Sequence, residues 1–425
     1  MKKTKIVSAV LAATLFLGGC SIGSGDKPIK NDTQAKTEID LDKVQDTEYD
    51  GKLMQQEYIN YCFELLSQTI EDTDTEDNVM ISPASIMMAL DMVAAGAKGD
   101  TLRQLTDLFA EGQDPLEQQA FAAALMDRIN GARNVDFSCA NAVWSNEAIL
   151  GNKVNADYVE YIQETFLADY KVQKFSKKTP DEINDWVKDH TDHMIKKVVE
   201  KLDPDVAMVL VNAIAFEAKW AEPYKDHQIE KGDFTASDGT VQNATFLNEK
   251  MGIYFENDKA EGFLKSYYGD YAFIVMLPKD ETISANEFIK DFSGSDFLTF
   301  LKGRTSEYDV YTKLPEFKYD FDYSVNDTIA NLGAGDVLDP EKADLSGIAG
   351  KPGDLYVSQV IHKTHIELDR NGTKAAAATS VMVAAGAAMP QEKEIREVFC
   401  DRPFAYAIID TETAMPIFIG TVNGI

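Results

Sequence analysis

One segment of this chain is almost free of charge although the protein as a whole is strongly acidic. The 425 residues include 71 acidic and 41 basic side chains, and the formal net charge is −30 at pH 7. Residues 371–390 read NGTKAAAATSVMVAAGAAMP, and Lys374 is the only charged residue among them. Intrinsic propensity favours a helix at the alanines 375–378, and the segment is too short for a comfortable membrane span.

The same segment also has the pattern of a buried strand. Successive side chains of an extended chain point to opposite faces. The face without Lys374 carries only small and β-branched or hydroxyl side chains, which are Thr373, Ala375, Ala377, Thr379, Val381 and Val383. The segment is therefore compatible with an exposed loop and with a central strand. A helix or a permanent core strand remains open from this segment alone.

The acidic balance and the missing motifs exclude several functions. Nucleic-acid binding and docking on anionic lipid through a basic patch both require excess Lys and Arg. The chain contains no G-x-S-x-G, H-E-x-x-H, Walker or C-x-x-C motif. His190 and His193 have no evident third ligand, and His362 and His365 fall on opposite faces of a strand. We therefore predict a protein that is not an enzyme, binds no nucleic acid and uses no metal or cofactor.

The N-terminus has the pattern of a targeting signal. Three lysines precede an apolar run, 6–17, that is too short to span a membrane as a mature helix. Leu17-Gly18-Gly19-Cys20 then resembles a bacterial lipobox, whose cysteine becomes lipid-modified. A plain secretory signal with an incidental cysteine is the alternative. We predict a signal peptide at 1–19, followed by lipidated Cys20 and a polar, flexible tether that together span 20–50.

After Gly51 the hydrophobic pattern indicates one large α+β domain, 51–425. Helical periodicity dominates the first part and strand patterns dominate the last part, without βαβ alternation. Ser82-Pro83 is a helix start, with serine as the N-cap. Further elements are predicted as helices at 54–66 and 181–199, and as strands at 206–216, 271–277, 308–318 and 416–422.

The segment Gly372-Thr373-Lys374-Ala375-Ala376-Ala377-Ala378-Thr379 closely resembles the hinge of serpins. Other motifs of that family occur in the correct order over 51–425, so the chain is identified as a member. These motifs are 78–90 (NVMISPASIMMAL), 96–101 (GAKGDT), 141–144 (NAVW), 183–187 (INDWV), 210–214 (LVNAI), 314–318 (LPEFK), 357–363, 401–404 (DRPF) and 418–420 (FIG).

The resemblance implies a fold and a mechanism. The fold would be α+β, with three β-sheets, eight or nine helices and an exposed reactive-centre loop. The protein would be a suicide inhibitor of serine proteases: the protease attacks the loop and forms an acyl-enzyme, and the cleaved loop inserts into the central sheet and traps it. A non-inhibitory serpin-fold binding protein is the alternative. A solute-binding lipoprotein is a third reading, but its two α/β lobes would require βαβ alternation.

The resemblance also assigns roles to residues. Gly372 and the small residues after it form the hinge, in which Thr373 enters the sheet first. The polar cluster beneath the opening strands, called the shutter, would comprise Ser82, Ser85, Asn212 and His362. Trp220 would mark the breach, where insertion begins. Arg370 departs from the family, which usually has glutamate two residues before the hinge glycine.

In the family register the scissile bond is Gly386–Ala387, with Met389 as an alternative position. A small residue there suits elastase-like or subtilisin-like serine proteases, whereas trypsin-like enzymes would need Lys393 or Arg396, beyond the register. We expect a monomer that is secreted, anchored by lipid to the bacterial cell envelope, and faces outside the cytoplasm.

Overall fold

The computed structural model describes residues 37–191, 193–195, 197–203, 206–373 and 393–425. Within these ranges the chain forms nine α-helices, and none of them has the length and apolar character needed to cross a bilayer. The helices are α1 (Gly51–Thr73), α2 (Pro83–Ala94), α3 (Gly99–Asp107), α4 (Pro115–Asn130), α5 (Ala156–Thr165), α6 (Thr179–His190), α7 (Ala285–Lys290), α8 (Gly294–Lys302) and α9 (Asn326–Asn331).

The strands form three sheets, as the resemblance implied. The strands are β1 (Met80–Ile81), β2 (Asp136–Asn146), β3 (Asp169–Gln173), β4 (Met208–Lys219), β5 (Ile229–Thr235), β6 (Val241–Met251), β7 (Phe255–Glu256), β8 (Ala260–Gly262), β9 (Leu264–Ser266), β10 (Tyr271–Pro278), β11 (Tyr308–Pro315), β12 (Phe317–Ser324), β13 (Ile361–Asp369), β14 (Gly372–Thr373), β15 (Glu394–Phe399), β16 (Phe404–Asp410) and β17 (Pro416–Val422).

The central sheet has six strands in the order β12-β13-β14-β4-β2-β3. A seven-stranded sheet follows the order β1-β17-β16-β10-β8-β7, with β9 also paired to β10. The third sheet has four strands in the order β15-β11-β6-β5. The main hydrophobic core lies between these sheets and the helices, and every residue of β10, β16 and β17 is buried.

Local sequence rules explain the start of α2. The Oγ of Ser82 accepts a hydrogen bond from the backbone N–H of Ser85 at 3.3 Å, and Pro83 occupies the first helical position. A serine side chain satisfies one of the free N–H groups of the first turn, and proline lacks the N–H that would be unpaired there. The predicted helix start is therefore confirmed.

The predicted strand 308–318 is wrong as a single element. It consists of two strands in different sheets, because β11 pairs with β6 and β15, whereas β12 pairs with β13. Pro315 ends β11, since proline has no N–H to donate to a ladder. The predicted helix 181–199 is shorter than expected and ends at His190.

Packed structure is present before Gly51, within the segment predicted as a tether. A 3₁₀ helix, Leu41–Asp46, packs on α4, and Val44 is only 1 % exposed. The ring of Tyr49 contacts Phe121 edge-on at 5.8 Å between centroids. The segment 20–50 is mostly polar, and the few apolar residues that make these contacts are too close together to form a periodic pattern. The sequence therefore did not predict this packing.

Candidate functional site

The candidate site is an opening in the central sheet between β4 and β13. At its upper end the two residues of β14 lie between these strands and pair antiparallel with both. Thr373 lies opposite Leu368 of β13 and Ala218 of β4. Below this point no backbone ladder joins β4 to β13 in the described chain, so two strand edges with free hydrogen-bonding groups face each other.

The lower part of the opening widens into a cavity of about 580 Å³. Both strand edges and α2 contribute to its walls, together with the segments that precede β4 and β13. The walls are mainly apolar, with side chains such as Leu90, Leu202, Val209, Val211 and Val360. An additional strand would therefore meet free backbone groups at its edges and apolar side chains beneath it.

Gly372 sits where no larger residue fits. A Cβ atom at this position would lie 2.0 Å from the backbone oxygen of Ala218, and the φ angle is +155°. A carbonyl oxygen in a sheet cannot yield to a side chain without loss of pairing. The structure therefore requires glycine at the turn from β13 into β14.

Trp220, the residue expected to mark the breach, belongs to an aromatic stack next to a hydroxyl pair. The indole of Trp220 stacks on Tyr267 at 4.4 Å, and its Nε1 donates to the backbone oxygen of Asp369 at 2.9 Å. A 2.6 Å hydrogen bond joins the Tyr267 hydroxyl to the Oγ1 of Thr373, whose side chain is 3 % exposed. Burial raises the pKa of Tyr267, so its hydroxyl stays neutral and can donate. Trp220 is thus linked through Tyr267 to Thr373.

Arg370 is held at the corner above the breach. Its Nη2 donates to Asp226 Oδ1 at 2.6 Å and to the backbone oxygen of Tyr224 at 3.2 Å. Its backbone N–H donates to Glu316 Oε1 at 3.2 Å. Burial raises the pKa of Glu316, and Arg370 partly offsets this rise. The cation at this position is therefore matched by acidic groups on neighbouring segments.

The shutter residues form one hydrogen-bonded chain. The backbone N–H of Ser82 donates to His362 Nε2 at 2.9 Å, and the hydroxyl of Ser85 donates to Asn212 Oδ1. Asn212 Nδ2 in turn donates to Asn141 Oδ1 at 2.6 Å. The network thereby links α2 to both edges of the opening, β13 through His362 and β4 through Asn212, and continues into β2.

His362 is an acceptor in this network and carries no charge. Because Nε2 accepts the bond from Ser82, the ring proton belongs on Nδ1. Burial lowers the pKa of His362 to about 3, since the interior disfavours the imidazolium. His365 lies on the outer face of β13, where Nδ1 contacts Asp320 Oδ1 at 2.7 Å. The two histidines therefore point to opposite faces, as the alternation predicted.

Sequence reasoning missed two members of the site. Tyr267 receives Thr373, and Asn141 extends the shutter into β2. Asn141 could have been suspected because it is a polar residue in the otherwise apolar run 140–144. No local pattern marks Tyr267. Lys374, Ala375, Ala376, Ala377, Ala378, Thr379, Gly386, Ala387, Met389 and Cys20 lie outside the described residues.

These features define a protein whose central sheet is open to a further strand from its own chain. A family model described as serpin (serine protease inhibitor) matches residues 56–425. The chain therefore belongs to the serpin family, whose members are generally protease inhibitors.

Relatives and solved structures agree with this assignment. An uncharacterized serpin-like protein of Methanosarcina mazei is 29 % identical over 432 residues, which cover 100 % of this chain and 98 % of the relative. Leukocyte elastase inhibitor A of Mus musculus is 29 % identical over 84 % of this chain and 96 % of its own length. The thermophilic serpin tengpin in its native state superposes with a TM-score of 0.79 at 36 % identity, covering 89 % of this chain and 96 % of that one.

The corner contacts predict the effect of reversing the charge of Arg370. In Arg370→Glu the new carboxylate faces Asp226 and Glu316, so attraction becomes repulsion. We expect the free energy of unfolding to fall by about 1 kcal/mol, the scale of a largely exposed ion pair. Arg370→Lys is the matched control and should stay near the wild type. If Asp226→Lys does not restore stability to Arg370→Glu, the corner pair is not the cause.

The buried histidine predicts a dependence of stability on acid. The unfolded chain takes up a proton at His362 below about pH 6.5, whereas the folded chain does so only near pH 3. Wild-type stability should therefore be complete above pH 6.5 and fall by about 1.4 kcal/mol per pH unit between pH 6 and 4, relative to His362→Gln. Urea titrations at several pH values measure this difference. The exposed His227, changed to Gln, is the control, and equal slopes for wild type and His362→Gln would refute the assignment.

Proposed function

We propose that this serpin is an inhibitory member that traps serine proteases by inserting its own cleaved loop between β4 and β13. The observation that carries the proposal is β14, in which the first two hinge residues already pair with both strands. Lys374 comes next and would fall on the face opposite Thr373, and the residues after it, 375–380, are all small. The hinge sequence and the open strand edges thus fit each other.

The pairing of β14 with β4 and β13 can be extended in the same register to the residues that follow Thr373. Alternate residues after Thr373 would share its inward face. Continued pairing would place Ala375 opposite Ile366 and Phe216, Ala377 opposite Thr364 and Ile214, and Thr379 opposite His362 and Asn212. Ala375 would therefore fall between two large apolar neighbours, and Ala377 beside one. Thr379, the hydroxyl residue that follows the alanines on this face, would fall at the polar shutter.

Insertion would supply the driving force for trapping. About a dozen inserted residues would form on the order of ten backbone hydrogen bonds, at about 1 kcal/mol net each. A gain on the order of 10 kcal/mol, before apolar burial, is comparable with the stability of a protease domain. The uninserted state would then persist because a kinetic barrier separates it from the more stable inserted state.

The covalent step would be that of an ordinary serine protease. The protease serine attacks the carbonyl carbon of Gly386, and the peptide bond to Ala387 breaks, with the amine as leaving group. The acyl-enzyme would remain attached to the inserted loop. Insertion would distort the protease active site before water could hydrolyse the ester bond. The small residue at 386 favours shallow specificity pockets, as in elastase-like or subtilisin-like enzymes. A relative named leukocyte elastase inhibitor A supports this target class.

The anchor is a separate proposal. Cys20 follows an apolar leader and a Leu-Gly-Gly sequence, which fits lipid attachment and a position outside the cytoplasm. The 3₁₀ helix Leu41–Asp46 packs on the folded part, so a tether between the lipid and the folded part would be shorter than 20–50.

The inhibitory function predicts an SDS-stable complex. The mature chain carrying Cys20→Ser, incubated with pancreatic elastase or subtilisin, should form a covalent complex and release its C-terminal peptide. Thr373→Arg should abolish trapping and leave a substrate, because a cation cannot enter the buried position beside Tyr267. Thr373→Val is the matched control and should still trap. Cleavage without a stable complex, across several serine proteases, would favour the alternative of a non-inhibitory serpin-fold binding protein. Thyroxine-binding globulin, which shares the fold at 22 % identity, is an example of such a protein.

The anchor predicts a membrane partition. Expressed in a bacterial host with its leader, the wild-type chain should sediment with membranes and incorporate labelled fatty acid. Cys20→Ser should be released or retain its leader without label, whereas Cys62→Ser should behave as the wild type, because Cys62 is buried in α1. Equal labelling of wild type and Cys20→Ser would disprove lipidation at this residue.

A further inference from the structure

A carboxyl group is buried in the helical layer, apart from the opening in the central sheet. Asp91 of α2 has no exposed surface, and its Oδ1 accepts a hydrogen bond from Gln119 Nε2 at 3.2 Å. Its Oδ2 is buried and makes no hydrogen bond within the described chain. No ion pair joins Asp91 to any described cation. Burying an unpaired carboxylate is strongly unfavourable.

The groups that face Asp91 are polar and mostly neutral. Helix α1 contributes Tyr61, α4 contributes Gln118 and Gln119, and α5 contributes Tyr161. The hydroxyl of Tyr161 donates to Gln119 Oε1 at 2.7 Å. The other elements packed on α2, namely α3, β4 and β17, contribute no charged or titratable group to the interactions described for this carboxyl.

The amide of Gln118 and the hydroxyl of Tyr61 can each bond to either form of this carboxyl. Both side-chain atoms of Gln118 and the hydroxyl of Tyr61 are buried without a regular partner among the described residues. An ionised carboxylate only accepts, for example from Gln118 Nε2, whereas a protonated carboxyl can also donate, for example to Gln118 Oε1. Both forms can therefore find hydrogen-bond partners here. The difference between them is the charge, because the neutral acid avoids the cost of a fully buried carboxylate with no described cation beside it.

We propose that Asp91 is a neutral carboxylic acid in the folded protein at pH 7, with the side-chain amide of Gln118 beside it as a polar neighbour. The cluster is then a site for one proton between α1, α2, α4 and α5. Burial raises the pKa of Asp91 well above that of a free aspartic acid, and the amide of Gln118 offsets only part of this rise.

The position of Asp91 connects this proton to the opening in the sheet. The same helix, α2, carries Ser85, which binds Asn212 of β4, and is capped by Ser82, which binds His362 of β13. A group whose pKa is raised by folding stabilises the protein at low pH, and this stability is lost as the pH rises toward the folded pKa. Loss of the proton would thus weaken the helix that holds both edges of the opening.

A vibrational measurement tests the protonation directly. The full mature chain at pH 7 should show the C=O stretching band of a protonated carboxyl, shifted when aspartate is labelled with ¹³C at its carboxyl carbon. Asp91→Asn should lack this band, and Asp127→Asn, which removes an exposed acid of α4, should keep it. If the labelled wild type shows no such band at pH 7, Asp91 is ionised and the proposal is wrong, whether or not the variant folds.

A stability measurement tests the linkage. Urea titrations between pH 5 and 7 give the unfolding constants of wild type and Asp91→Asn. The ratio of these two constants should change by about tenfold per pH unit. The wild type should be favoured at the acid end of the range. Asp127→Asn should run parallel to the wild type. A constant ratio between wild type and Asp91→Asn would show that the folded and unfolded chains release this proton at similar pH, which contradicts the proposal.

Discussion

The proposed function depends on the facing edges of β4 and β13, which no described strand joins below β14. Each edge carries backbone groups that no described strand satisfies below β14, and unpaired backbone groups are unfavourable unless water or another strand meets them. The stack of Trp220 and Tyr267, the glycine at 372 and the shutter network all lie at this opening. The shutter network joins both strands to α2, and Gly372 and Thr373 occupy the upper end of the opening.

Under the proposed mechanism, this chain would have two folded states of different stability. In the uninserted state, the backbone groups on the facing edges of β4 and β13 would have no strand to pair with in the middle of the central sheet. The inserted state would supply that strand, but it requires the loop to leave solvent and the shutter to rearrange. A relative, tengpin, has been solved in both a native and a latent state, and each superposes on this chain with a TM-score of at least 0.75. The fold therefore accommodates more than one arrangement.

The sequence predicted those parts of the fold whose signals are local. The cap at Ser82 and the buried strands β10 and β17 follow from residue type and period alone. The predicted single strand at 308–318 was wrong because periodicity does not show which sheet a strand joins, although Pro315 marks the break. The packed segment before Gly51 was missed because three or four apolar contacts do not produce a pattern. Tyr267 was missed for another reason: its role depends on Thr373, more than a hundred residues away in the chain.

The central claim is that cleavage in the loop inserts a new strand between β4 and β13, and amide hydrogen exchange tests it most directly. The chain should be compared before and after cleavage within 374–392 by a catalytic amount of protease. If the account is right, amides along β4 and β13 become strongly protected and the unfolding temperature rises. If the loop is cleaved and the exchange of both strands and the unfolding temperature stay unchanged, no strand has been inserted and the account is contradicted.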